Sequence, residues 1–146
     1  MNKLSRISLI CSLAIAAGAF SANAQEKQAA AKAGSQSLVE RGRYIVEDVA
    51  MCELCHTPRN AQGIPDRDHW LMGGPAQIRP AYPAPTWAVV EPRLAGAPPG
   101  TDEEFIRLLT TGISRTGKPP NPPMPPFRMT RADAESVLAY LKSLTR

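Results

Sequence analysis

Cys52, Cys55 and His56 stand as C-x-x-C-H within Met51-Cys52-Glu53-Leu54-Cys55-His56-Thr57, the spacing of covalent haem attachment. Two thiols three residues apart can face the same side of one helical turn and add to the two vinyl groups on a porphyrin edge. The imidazole that follows is then held close to the iron as its proximal ligand. A second donor is needed on the other side. The candidates are His69, Met72, Met124 and Met129, with Met51 set aside because it adjoins Cys52. Met124 is the assigned ligand: it sits in Pro119-Pro120-Asn121-Pro122-Pro123-Met124-Pro125-Pro126-Phe127, where locked φ angles lower the entropy cost of holding one thioether in place. His69 reads as a solvated loop residue, and Met72 and Met129 as packing residues.

An iron held by His56 and Met124 has no open position for a substrate, so the expected chemistry is transfer of one electron, with no catalytic residue and no enzymatic turnover. If Met124 is displaced, the alternative is a haem peroxidase or small-ligand sensor. A thiol redox pair or a zinc site is the reading without haem. The first wants a βαβ context, which the chain lacks, and the second further ligands, of which few are available.

The elements that must position these groups follow from the rest of the sequence. Residues 1–24 read as a cleaved export signal: Lys3 and Arg6, an apolar run from Ile7 to Phe20, then Ala22-Asn23-Ala24. The run is too short to span a bilayer, so no stable membrane span is expected once the signal is removed, and the expected location is the periplasm. Its removal takes away two basic residues and no acidic one, lowering the formal charge from +4 to about +2. That balance gives no case for a nucleic-acid partner. Residues 25–36 carry no apolar period and read as a flexible tail, leaving 37–146 as one domain.

Within that domain the fifteen prolines all fall between Pro58 and Pro126, which excludes long helix or central strand from the middle of the chain. Such a segment needs something to wrap around, and a porphyrin offers a large apolar surface. A first helix is expected over Leu38–Ala50, with Leu38, Tyr44, Ile45, Val49 and Cys52 on one face. Gly42 within it costs about 1 kcal/mol relative to Ala, which suggests a close helix crossing. Thr101-Asp102-Glu103-Glu104 is a capping box opening a second helix with Phe105, Leu108 and Leu109 inward and Gly112 as its left-handed end. Thr130-Arg131-Ala132-Asp133 opens a third, with the stripe Ala134, Val137, Leu138, Leu141 and Leu144. Trp87-Ala88-Val89-Val90 reads as extended loop.

On these residues the chain resembles class I monohaem cytochromes c of the bacterial periplasm: Cys52, Cys55 and His56 after a Gly42-containing helix, Pro123-Met124-Pro125, and the terminal Val137–Leu144 helix. His56-Thr57-Pro58-Arg59, Leu71-Met72-Gly73-Gly74, Glu103-Glu104-Phe105 and Leu109-Thr110-Thr111-Gly112 are similar to cytochrome subunits or domains of periplasmic dehydrogenases. The resemblance implies an all-α cytochrome c fold, with crossing N- and C-terminal helices and long proline-rich loops around one covalent haem c. It implies redox partner proteins: a dehydrogenase, an oxidase or another cytochrome. Gly42 would then lie against the face carrying Tyr140 and Leu141. A proline carbonyl would accept from His56 Nδ1, and Pro75 and Pro80 both lie in the loop after the motif. Ala84-Pro85-Thr86-Trp87 departs from the dehydrogenase-associated pattern, where an asparagine is common. Trp70, Trp87, Tyr82 and Arg79 are the candidate propionate donors, and Arg59, Arg115, Lys118, Arg128 and Arg131 the candidate rim for an acidic partner.

Overall fold

The computed structural model describes residues 4–144, and side chains from residue 24 onward. The chain divides into two units, Met1–Gln36 and Ser37–Arg146. Helix α1, Leu4–Tyr44, begins in the first and ends in the second. The side chains of the expected export signal fall outside the described residues, apart from Ala24. Residues 25–36, expected as a tail, are helical and exposed throughout. Ala, Lys, Gln and Glu favour helix on their own, and without an apolar stripe this stretch has no face to bury. Among the described residues no helix is long and apolar enough to cross a membrane.

The second unit is helical, as its patterns require. Past α1 the chain makes a wide π-turn over Ile45–Val49, then the one-turn helix α2, Glu53–His56. Helix α3 is Asp102–Thr111 and α4 is Arg131–Ser143. Both predicted caps form. Thr101 Oγ1 accepts from the Glu104 amide while Glu104 Oε2 accepts from the Thr101 amide at 2.8 Å, and Gly112 ends α3 at φ 68°. Thr130 Oγ1 accepts from the Asp133 amide at 3.1 Å. The stripe of α4 is buried at Ala134, Val137, Leu138 and Leu141, with Leu144 partly covered at the C-cap.

The close crossing is at Gly42. A Cβ there would overlap the Ser136 carbonyl and lie 2.7 Å from the Tyr140 Cβ, so only glycine lets α1 lie on α4. Arg41 reinforces the crossing from solvent, donating to Asp133 Oδ1 through Nε at 3.0 Å and Nη2 at 2.9 Å. Of the expected face, Ile45 is buried and Cys52 packs against the core, but the other three residues point elsewhere. Leu38, Tyr44 and Val49 are exposed, whereas Gly42, Ile45 and Val46 are buried and Val39 is partly covered. The stripe is built around a residue with no side chain, and the π-turn then adds about one residue per turn and rotates Val49 outward.

Between α2 and α3 the proline-rich chain forms loops and one two-residue antiparallel ladder, β1 (Gly74–Pro75) with β2 (Val90–Glu91), in the register Gly74 to Glu91 and Pro75 to Val90. Val90, expected in extended loop, thus pairs as a strand. A bond from the Ala88 amide to the Pro122 carbonyl, 2.7 Å, ties this loop to the second proline-rich loop.

Candidate functional site

The two cysteines and the histidine are placed by the end of the π-turn. Ala50 N–H bonds to Ile45 O at 2.7 Å and Cys52 N–H to Val46 O at 2.9 Å; Met51, at φ 49°, then breaks the helix. Cys52 becomes the N-cap of α2, and His56 N–H closes the turn on Cys52 O at 2.8 Å. Burial, then the neighbouring Glu53 charge, pushes the Cys52 thiol up to about 12. Burial, then Glu91, also raises Cys55. Thiols held in the neutral form are the opposite of an activated redox pair, whose nucleophile is depressed. Among the described residues no group of three or more His, Cys, Asp or Glu side chains is arranged to hold a metal ion.

His56 is buried, and its Nδ1 lies 2.8 Å from the carbonyl oxygen of Pro92, to which it donates. Burial lowers its pKa, so the ring is neutral at physiological pH, with Nε2 bonded to no described residue. The acceptor is neither Pro75 nor Pro80. Pro75 is committed to β1 and its carbonyl accepts from Gln77 Nε2 at 2.7 Å. The ladder register instead brings Pro92, just past β2, back to the motif.

Cys52, Cys55 and His56 line a partly open cavity of about 440 Å³. Phe105, Leu108 and Leu109 of α3 and Val137 and Leu141 of α4 give it aliphatic and aromatic walls, and six prolines, Pro92, Pro99, Pro119, Pro120, Pro123 and Pro125, complete it. The walls call for a large, flat, apolar occupant. The donor set matches a porphyrin: two thiols on one turn and an imidazole nitrogen that no described residue engages.

Met124 lines the same cavity, half-buried in the proline-rich loop. So do Met51 and Met129. Met129 is engaged otherwise, packed on the core with its N–H on Leu109 O at 3.0 Å, whereas Met124 takes no part in the core. His69 and Met72 do not line it. His69 is exposed, with Nδ1 2.8 Å from Asp66 Oδ2, and Met72 packs on the core.

The candidate propionate donors are placed elsewhere. Trp87 Nε1 donates to Ile78 O at 2.7 Å, Trp70 lies beneath the Arg67 guanidinium at 4.0 Å, and Arg79 and Tyr82 are exposed; none of the four lines the cavity. Its polar lining is Ser114, Arg115, Thr116, Asn121 and the carboxylates Glu91 and Glu104. Of these Arg115 stands out in the sequence as a rim charge and Glu104 as a capping residue. The available signal for Ser114, Thr116 and Asn121 is that they interrupt an otherwise proline-dominated loop. Of the other rim candidates, Arg131 is ion-paired to Glu103 and Glu135, and Arg59 and Arg128 donate to loop carbonyls. Arg115 and Lys118 are exposed and in no ion pair among the described residues.

The family pattern described as "Cytochrome c" matches residues 39–145. A fructose dehydrogenase cytochrome subunit of Gluconobacter japonicus is 28% identical over 109 residues, 71% of this chain and 21% of that one. A nicotinate dehydrogenase subunit of Pseudomonas putida is 27% identical over 110 residues, 71% of this chain and 9% of that one. A dihaem cytochrome c-type protein of Cereibacter sphaeroides is 58% identical over 36 residues, 25% of this chain and 12% of its own. The chain thus matches about a fifth or less of the length of each of these curated relatives.

Proposed function

Because the chain belongs to the cytochrome c family and is thereby an electron-transfer haem protein, we propose that it carries single electrons on one haem c, bound through Cys52 and Cys55 and ligated by His56 and Met124. In this reading it works in the periplasm, between a dehydrogenase or respiratory donor and a downstream acceptor, and transforms no substrate of its own.

The observation that carries the reading is the convergence of both thiols, the unengaged His56 nitrogen and the uncommitted Met124 on one apolar cavity. A bound haem supplies a one-electron ferric/ferrous couple. The protein's part is to hold that couple steady. Pro92 fixes the His56 ring and raises its basicity through Nδ1. Met124 offers a soft thioether that favours the ferrous state and raises the potential. The α3 and α4 walls exclude water. With a haem held by His56 and Met124, both ligands would come from the protein, reagents would find no vacant position, and electrons would pass through the exposed side of the cavity. Arg115 on the lining, and Lys118 exposed three residues on, favour a partner with acidic surface. The dehydrogenase subunits among the relatives support a dehydrogenase as donor.

The test is the intact mass and visible spectrum of protein recovered from the periplasmic fraction. The expected result is a chain beginning at Gln25, one haem heavier than its polypeptide, six-coordinate in both oxidation states and inert to carbon monoxide when reduced. Ready carbon monoxide binding would replace the carrier by a peroxidase or ligand sensor.

A further inference from the structure

His56 is gripped at two points, its main chain and its ring, by two segments that meet at the end of the ladder. Its carbonyl accepts from the Gly73 N–H at 2.8 Å, while its Nδ1 donates to the Pro92 carbonyl at 2.8 Å. Gly73 lies against Pro92. A Cβ on Gly73 would stand 2.6 Å from both Pro92 C and Arg93 N and would overlap the Glu91 carbonyl. The corner before Gly73 joins the same two segments. Leu71 N–H donates to Thr57 Oγ1 at 2.9 Å, and the Leu71 carbonyl accepts from Leu94 at 2.9 Å and Ala95 at 3.1 Å. Thr57 and Leu71 are both fully buried, so water cannot replace these bonds.

We propose that Gly73 is a positioning residue for His56: bonded to the histidine's main chain and flat against Pro92, it sets the distance between the imidazole and its carbonyl acceptor. The inference rests on His56 being an axial ligand. A side chain at 73 pushes the Pro92 peptide away, because the atoms it meets are backbone and cannot rotate aside. The Nδ1 bond lengthens, the imidazole becomes a weaker donor to iron, and the ferric state loses stabilisation relative to the ferrous. Gly73 also has φ 71°, which disfavours other residues for reasons unrelated to Pro92. A control must separate strain from contact. Gly63 provides it, with φ 77° and nothing within 4 Å of the place a Cβ would occupy.

The experiment compares holoprotein of wild type, Gly73→Ala, Thr57→Val and Gly63→Ala, reading the reduction potential and, by NMR, the solvent exchange of the His56 Nδ1 proton. Gly73→Ala is expected to raise the potential and to speed exchange roughly five- to tenfold, the equivalent of weakening one hydrogen bond. Thr57→Val removes the acceptor that anchors Leu71 and moves both readouts the same way by less. Gly63→Ala leaves both at wild-type values whatever its melting temperature. Unchanged potential and exchange in Gly73→Ala and Thr57→Val, with only stability lowered, overturn the proposal. If Gly73→Ala yields no holoprotein, Thr57→Val decides. The ligand assignment is tested separately, by whether His56→Ala abolishes the low-spin spectrum of the wild type.

Discussion

Gly42 and Ser136 meet backbone to backbone, and a Cβ on Gly42 would overlap the Ser136 carbonyl. Neither side of that contact is a flexible side chain that can move away. Gly42→Ala therefore forces α1 off α4, at about 1–3 kcal/mol for overpacking, outweighing the roughly 1 kcal/mol that Ala gains in helix propensity. Urea melts of the holoprotein check this. The variant should show a lower midpoint with an unchanged visible spectrum, because the crossing lies away from the cavity lining.

Asp133 sits at the same crossing and gives it a pH dependence. The Arg41 guanidinium, then the Thr130 hydroxyl, hold its carboxyl below the usual carboxylate range. A pKa depressed by folding means that the unfolded chain binds the proton first as pH falls. The contribution is thus complete above the ordinary value of 3.8 and disappears as pH drops through the folded value. The gap in thermal stability between wild type and Asp133→Asn should be constant near neutrality and close below about pH 4. A gap that does not narrow at all as pH falls below 3.8 would show that Asp133 acts by something other than its charge. The pair is largely exposed, so the gap should also narrow in high salt.

Met124 and Met129 line one cavity but have different surroundings, which makes them a matched pair for substitution. Met124→Ala should lower the reduction potential and open the reduced protein to carbon monoxide with little loss of stability. Met129→Ala should do the reverse: a loss of about 2–5 kcal/mol from a truncated packing residue, with ligation intact. Exchange of these two phenotypes would move the axial assignment to Met129.

Arg115 and Lys118 carry the prediction for partner encounter. The double variant Arg115→Glu, Lys118→Glu should slow electron transfer with an acidic partner at low ionic strength and flatten the dependence of that rate on salt. Stopped-flow kinetics across ionic strength measure both effects. Equal salt slopes in variant and wild type would locate docking elsewhere.

The sequence reveals most where the determinants are local. The Thr101–Glu104 capping box, the Gly112 end, the α4 stripe and the Gly42 crossing each depend on residues three or four apart, or on one glycine whose cost in a helix demands a reason. The cysteine and histidine cluster is equally local, and its three side chains do meet at one cavity. The misses have a common cause. Pro92 is 36 residues from His56 and arrives through a two-residue ladder too short to leave an alternating pattern. On the first helix Leu38 and Tyr44 are exposed because the buried stripe is organised around Gly42, and Val49 turns outward where the helix widens over Ile45–Val49. Ser114, Thr116 and Asn121 reach the cavity through loop conformation alone, which no periodicity encodes.

The second proline-rich loop has a further consequence. From Pro119 to Pro126 only Asn121 and Met124 possess a backbone N–H, and the segment runs along the cavity with several exposed positions. Exposed backbone with unpaired donors and acceptors invites a neighbouring chain to pair with it, and this segment is exposed on both sides of a turn at Pro122–Met124. This one offers carbonyls with almost no donors, so a second chain cannot zip onto it. The same residues that shape the wall of the cavity guard an otherwise sticky margin of the protein against aggregation.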